Sequence, residues 1–272
     1  MIELIKFIFL GFVQGITEPI PVSSSGHLLI FQKLIGSLDN IDFEILATIT
    51  NLGSFLAILF IFRKDIIRLF KSFFGYIGKK DKSLYSDYKY CWYIIIGTIP
   101  AGIMGLVVTK LDLFDKLEEN IKFVGITLLI TALFLFIIRN FKGRKDDSDI
   151  TLKDAIVIGL FQVVALLPGI SRSGATIVGG MFCKLKRKTA FNFSFILYIP
   201  ISLATTLLGI KDLFEADLNL NTILLYFISM VVAFIFTYIG TKWFRKLVNE
   251  GKLIYFTIYC LIVGMLVLLF LK

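Results

Sequence analysis

Residues 11–28 read GFVQGITEPIPVSSSGHL, and residues 159–176 read GLFQVVALLPGISRSGAT. Shifted by 148 positions without a gap, Gly11 meets Gly159, Gln14 meets Gln162, Ser23 meets Ser171, Ser25 meets Ser173 and Gly26 meets Gly174. Both copies interrupt an apolar stretch with Pro, Gly and Ser. They also hold Glu18, His27 and Arg172, ionisable residues set deep in apolar sequence. Such groups are costly in an oily environment and mark function when they recur in a repeat. Proline ends a helix, so each copy predicts a helix–loop–helix broken at depth, which a membrane tolerates only where protein or water satisfies the freed backbone.

Working outward, 57% of the 272 residues are hydrophobic and 18% charged. Apolar runs long enough to cross hydrocarbon occur near 44–62, 91–109, 121–138, 191–210, 222–240 and 253–271. The expected fold is an all-α integral membrane protein with about six transmembrane helices and two re-entrant hairpins, near 2–34 and 154–183. The N-terminal apolar stretch is not expected to be a cleaved signal peptide, because it runs straight into the first motif with no small-residue cleavage site before it. Cys91, Cys183 and Cys260 lie in or beside apolar segments at spacings that match no metal or disulfide pattern, and read as small hydrophobes.

The net charge of +9 is not spread as a nucleic-acid-binding protein would spread it. Basic residues cluster at Arg63, Lys64, Arg68 and Lys71, at Arg139, Lys142, Arg144 and Lys145, and at Lys242, Arg245 and Lys246. Between them the loops are acidic: Asp112, Asp115, Glu118 and Glu119, then Asp212, Glu215 and Asp217. Under the positive-inside rule the basic stretches 63–90, 139–153 and 242–252 are cytoplasmic, and 110–120 and 211–220 external. Both termini are then external. The first hairpin enters from the outer face and the second from the cytoplasmic face, which makes 1–140 and 150–272 inverted repeats with re-entrant loops around 17–27 and 168–176. In such repeats the site lies near the midplane where the halves meet. Gly75 to Lys89 reads as a short cytoplasmic loop with some surface helix, and Trp92, Tyr93 and Trp243 as interfacial anchors.

Gln14 and Glu18 share a helical face, and Pro19 and Pro21 aim Glu18 at the loop. A carboxylate there either caps loop backbone or serves chemistry. Ser23-Ser24-Ser25-Gly26 is an ordinary N-cap by itself, yet the start of a returning helix also attracts anions. With His27 and Glu18 nearby, a Ser/His/Glu group that activates a nucleophile becomes plausible. In the second loop, Arg172 sits between Ser171 and Ser173, with Gly174 and Thr176 beyond. Its planar fork suits phosphate, and a structural ion pair with Glu18 is the plainer alternative. One Arg, several hydroxyls, two helix N-termini and one carboxylate favour phosphate chemistry over cation transport.

On these motifs the chain resembles the undecaprenyl-diphosphatase, or bacitracin-resistance, family. The resemblance rests on Gln14-Gly15-Ile16-Thr17-Glu18, on Pro21-Val22-Ser23-Ser24-Ser25-Gly26-His27 and on Pro168 to Thr176, and segment order and spacing match over essentially the whole chain. It implies hydrolysis of undecaprenyl diphosphate to the monophosphate, which recycles the lipid carrier of cell-wall synthesis at the cell membrane and lowers bacitracin sensitivity. It implies a divalent cation, Mg2+ or Ca2+, at Glu18 and Gln14. It carries functional roles onto Glu18, Ser24, His27 and Arg172, and supporting phosphate-binding roles onto Ser23, Ser25, Gly26, Ser171, Ser173, Gly174 and Thr176. The chain departs from the family pattern at Gln14, often Glu, and at Pro19, usually aromatic. The nucleophile stays open among Ser24, a water and His27. A transporter or flippase of polyprenyl phosphate lipids is the rival class, since an inverted repeat permits alternating access. Partners are the lipid substrate and membrane lipids, and oligomeric state, including a homo-oligomer, is left open.

Overall fold

The computed structural model describes residues 2–35, 42–111, 120–215 and 219–271, with backbone only for 210–215. The external-loop acids Asp112, Asp115, Glu118, Glu119, Asp212, Glu215 and Asp217 therefore have side chains outside the described residues. Ten α-helices follow in order among the described residues: α1 (Ile2–Thr17), α2 (Ser24–Ile35), α3 (Phe43–Lys79), α4 (Tyr85–Lys110), α5 (Ile121–Ile138), α6 (Leu152–Val164), α7 (Arg172–Phe182), α8 (Arg187–Glu215), α9 (Leu220–Glu250) and α10 (Ile254–Phe270). The β pairing present is one isolated bridge, Lys145 with Leu185. The all-α membrane fold expected from the sequence is what forms.

Helices α3, α4, α5, α8 and α9 are long and apolar enough to cross a membrane. The apolar α10 has 17 residues, about 25 Å at 1.5 Å per residue. Their outer faces present Ile103, Leu106, Leu133, Phe227 and Ile262 to the surroundings. So much contiguous apolar surface suits lipid, not water. Inside, Phe62, Phe191, Phe195 and Phe244 pack in one aromatic cluster, with Phe62 and Phe195 stacked at 5.6 Å between centroids.

The stretch 75–89 is more helical than the short loop with some surface helix that the sequence suggested. Helix α3 runs on to Lys79, where Lys80 closes it at φ 50°, and after a short 3-10 turn at Lys82–Leu84 helix α4 starts at Tyr85. Tertiary pairing overrides the polar composition here: Asp87 accepts from Arg68 (3.0 Å) and Ser72 (3.0 Å), and Phe73, Tyr76, Tyr88 and Trp92 stack between the two helices.

Helices α1–α2 and α6–α7 form the two hairpins. The first arm of each packs on the second long helix of the other half, α1 on α9 and α6 on α4. Small residues let the backbones touch. A methyl group on Gly11 would collide with the Ser229 carbonyl, and one on Gly159 with the Gly97 carbonyl. Hydroxyls complete the first contact, with Ser229 Oγ donating to Phe7 O (2.9 Å) and Thr237 Oγ1 to Gly15 O (3.0 Å). Where α6 begins, Asp154 accepts from Lys145 Nζ (2.8 Å) and from the backbone N–H and hydroxyl of Thr151 (2.9 Å each), in a reciprocal cap.

Candidate active site

The two loops meet back to back at the centre of the bundle. Ser173 Oγ reaches Ile20 O at 3.4 Å, and the Cβ of Pro21 lies against Gly174. Each loop ends in the same cap. Ser23 Oγ accepts from Gly26 N (3.3 Å) and lies 3.4 Å from Ser25 Oγ; Ser171 Oγ accepts from Gly174 N (3.2 Å) and lies 3.2 Å from Ser173 Oγ. The first N–H groups of a helix lack intrahelical acceptors. Those of Ser24, Ser25, Arg172 and Ser173 have no acceptor among the described residues, at two converging helix starts of the kind that favour anions. Ser23 holds φ 69°, a left-handed backbone that costs a non-glycine residue about 1–2 kcal/mol and turns the chain sharply into α2.

Around this junction lies a cavity of about 450 Å³, lined by Gln14, Glu18, Ser24, Arg172, Ser202 and Gln162 among others. Glu18 is its hub. One carboxylate oxygen accepts from Arg172; the other accepts from Ser24 Oγ and from Gln14 Nε2 (3.1 Å). Helix α1 stops at Thr17, but Glu18 N still bonds to Gln14 O at 2.9 Å, which fixes the carboxylate over the loop. Arg172 is held from its other side by α8: Nη1 donates to Ser202 Oγ (3.1 Å), and the guanidinium lies 3.7 Å from the Tyr198 ring centroid. A cation over a tyrosine face gains about 0.5–2 kcal/mol. The ion-pair reading of Arg172 is thus realised, and in a place where the pair also lines a cavity.

Ser23, Ser25, Ser171 and Ser173 line the cavity as well. Gly26 and Gly174 spend their N–H groups on the caps. Thr176 is turned into the protein, bonded to Arg172 O (2.9 Å) and Ser194 Oγ. His27 does not line the cavity. Its Nδ1 lies 2.8 Å from Ser23 O and its Nε2 2.8 Å from the hydroxyl of Tyr259, whose ring it stacks on. With Nδ1 donating to the carbonyl, Nε2 is left to accept from the tyrosine, so the imidazole braces the strained Ser23 turn.

Sequence reasoning missed Tyr198, Ser202, Asn51 and Thr206, and marked Gln162 only as the repeat partner of Gln14. Ser202, Thr205 and Thr206 carried a weak signal as hydroxyls within an apolar span. Nothing local marks Tyr198, which finds Arg172 through tertiary packing.

Among the described residues no group of three His, Cys, Asp or Glu side chains is placed to hold a metal. A smaller donor set is present. Glu18 accepts three bonds of the roughly four a carboxylate can take; Gln14 Oε1 has no protein partner among the described residues, and Glu44 also lines the cavity. Mg2+ is usually bound through one or two carboxylates plus substrate phosphates, and this set fits that mode.

An apolar helical bundle with a guanidinium, a carboxylate and hydroxyls gathered at two buried helix starts is that of an integral membrane protein with a polar centre. Comparison places it further. The model of the family described as bacitracin resistance protein BacA matches residues 7–266, and the chain belongs to that family. It is 48% identical over 270 residues to "Undecaprenyl-diphosphatase 2" of Bacillus thuringiensis, covering 98% of both chains. It is 46% identical over 269 residues to "Undecaprenyl-diphosphatase 1" of Bacillus licheniformis, again covering 98% of each. It is 45% identical over 271 residues to "Undecaprenyl-diphosphatase" of Oceanobacillus iheyensis, covering 98% of this chain and 97% of the other.

Proposed function

We propose that this chain hydrolyses undecaprenyl diphosphate to undecaprenyl phosphate and inorganic phosphate, and so returns the lipid carrier to cell-wall synthesis and lowers sensitivity to bacitracin. The observation that carries the reading is the Glu18 carboxylate, which holds the Ser24 hydroxyl and the Arg172 guanidinium at once in a buried cavity. That is a nucleophile, its base and a phosphate-binding cation on one hub. The full-length similarity to named diphosphatases supports the same activity.

In this mechanism the prenyl tail stays in lipid beside the bundle and the diphosphate enters the cavity. Arg172 shifts part of its bonding from Glu18 to the terminal phosphoryl oxygens, with Ser202 and Tyr198 keeping the guanidinium in place. The free N–H groups of both helix starts stabilise the charge that develops on those oxygens. Ser24 Oγ attacks the terminal phosphorus, its proton passes to Glu18, and the bond to the bridging oxygen breaks. Glu18 hands the proton to the departing lipid phosphate. Water then opens the phosphoserine, with Glu18 taking a proton from the water and returning it to Ser24 Oγ as inorganic phosphate leaves. Glu18 and Gln14 would hold a divalent cation, which would neutralise diphosphate charge when bound.

The cavity is lined by the early turns of α3, from Phe43 to Asn51, and by turns just past the middle of α8, from Ile201 to Thr206. These lie away from the basic loops, and the positive-inside rule makes that side external. We read the two halves as inverted repeats, an arrangement that the reciprocal packing of α1 on α9 and α6 on α4 supports.

The deciding assay is phosphate release from undecaprenyl diphosphate by purified protein in detergent, where no gradient exists. Release that disappears in Arg172→Ala and Glu18→Ala is expected; full release by Arg172→Ala sinks the site. A phosphoenzyme trapped in the wild type and absent in Ser24→Ala is the expected mark of the serine route, and a burst with no covalent species rejects it. A reporter fused after Lys272 should read as external, and a cytoplasmic signal there breaks the inverted topology.

A further inference from the structure

The Gln162 side chain is 1% exposed, yet neither Nε2 nor Oε1 has a hydrogen-bond partner among the described residues. Thr206, 4% exposed, likewise leaves Oγ1 without one. These two come from different helices, α6 and α8, and both line the cavity that holds Glu18, Ser24 and Arg172. Buried polar groups in folded proteins are nearly always paired, so two orphans on residues that line one cavity point to a partner that arrives from outside.

The repeat shows what Gln162 lacks. Its counterpart Gln14 donates to Glu18 four residues on. Four residues after Gln162 stands Leu166, which has no polar atom to offer. One copy kept the amide with its carboxylate, and the other kept the amide alone. Nε2 and Oγ1 are neutral donors, suited to phosphoryl oxygens, and Oε1 can accept from a water bound beside them.

We propose that Gln162 and Thr206 form a second phosphoryl subsite. It takes the phosphoryl group that stays on the lipid, while Glu18, Ser24 and Arg172 act on the terminal one. This rests on the diphosphatase reading above, and it gives that reading a selectivity: a diphosphate fills both subsites, whereas the product monophosphate fills one. A free monophosphate settles at the Arg172 cation, where the charge-assisted bonds are the stronger ones, so loss of the Gln162–Thr206 subsite weakens the diphosphate more than the monophosphate.

The test compares the full-length wild type with Gln162→Leu, Thr206→Val and the double variant in detergent. Two probes are used: a farnesyl methylene-bridged diphosphonate, which cannot be hydrolysed, and farnesyl monophosphate. Binding of the diphosphonate is expected to weaken about ten- to a hundredfold in Gln162→Leu, the usual effect of losing a hydrogen bond to a charged group, and that of the monophosphate by less than about threefold. Without ligand, the Tm of Gln162→Leu should equal or exceed that of the wild type, because an unpaired buried amide has been removed. Unchanged diphosphonate binding in the double variant overturns the subsite. So does a parallel loss of both probes, or a lower ligand-free Tm in Gln162→Leu, which would mark the amide as a structural partner. Phosphate release by the wild type is scored separately: its absence defeats the hydrolase reading, while the binding contrast still decides the subsite.

Discussion

At the start of α2 the residue after the capping serine is Ser24; at the same place in α7 it is Arg172. The caps around them match atom for atom: a serine oxygen on a glycine N–H, and a second serine beside it. The supports differ. The second loop is pinned by α5, with Thr127 Oγ1 donating to Pro168 O (2.6 Å) and Ser171 N donating to Thr131 Oγ1 (3.3 Å). The first is braced by His27 on Tyr259 and by Cys260 Sγ near Pro21 O (3.6 Å). A shared scaffold thus presents a hydroxyl from one side and a cation from the other, and Glu18 joins them. Likeness between the loops builds the junction, and the unlike position between the paired serines, Ser24 against Arg172, supplies the pair that the proposed reaction uses.

The largest break in that comparison is Arg172→Ala. It leaves Glu18 buried without its cation and removes the phosphate clamp, so kcat should fall about 10³–10⁵-fold, as for other arginines that stabilise a phosphoryl transition state. Steady-state phosphate release measures it, and Arg172→Lys should recover little, because an ammonium cannot replace the planar fork. Ser24→Ala comes next. A loss of about 10²–10⁴-fold is expected for a group paired with its base. Ser171→Ala, which strips only a cap, should instead cost about 1 kcal/mol of stability with most activity kept. If the two serine variants behave alike, the loops are not divided between chemistry and support.

His27→Gln sharpens the contrast from behind the first loop. Since the imidazole braces Ser23 and does not line the cavity, activity should drop by about tenfold, well short of general-base loss. Tyr259→Phe should show a similar, smaller effect. Acid-labile phosphohistidine on the wild type would refute this placement outright.

The smallest effect concerns the base of the second hairpin. Burial raises the Asp154 carboxyl, but hydrogen bonds from Lys145 and Thr151 outweigh it and hold it below the usual carboxylate range. Because the folded value is the lower one, the stabilisation is complete above the unfolded pKa of about 3.9 and fades as pH falls through the folded value. Melting followed from pH 6 to pH 3 should show the wild type losing its margin over Asp154→Asn as acid is added. A constant gap across that range rejects the account.

The sequence displayed the span pattern, both hairpins and the Glu18, Ser24 and Arg172 set, because each leaves a local mark: an apolar run, a proline break or a charge in oily surroundings. His27 left the same mark, but its two nitrogens are claimed by Ser23 and by Tyr259 on α10, a contact across 232 positions that no local pattern carries. Tyr198 and Ser202 escaped notice for the same reason. The polar stretch 75–89 suggested a short loop with some surface helix because of its composition, while pairings such as Arg68–Asp87 and Phe73–Tyr88 hold two helices together across a short turn there. Gln162 was visible as a matched letter in the repeat. Its lack of a partner becomes visible only when every neighbour is in place.

The contact of α1 with α9 has a consequence for biosynthesis. Residues 2–35 are translated first, yet the backbone that receives Gly11 and Gly15 belongs to residues 220–250. At about 5–20 residues per second, roughly 10–40 s pass before that helix is made. Through most of this interval the first loop, with Glu18, lacks Arg172 as well, and until the end of it α9 is missing. A nascent chain in that state is one that insertion machinery must shelter, and one that quality control can recognise by its exposed hairpin.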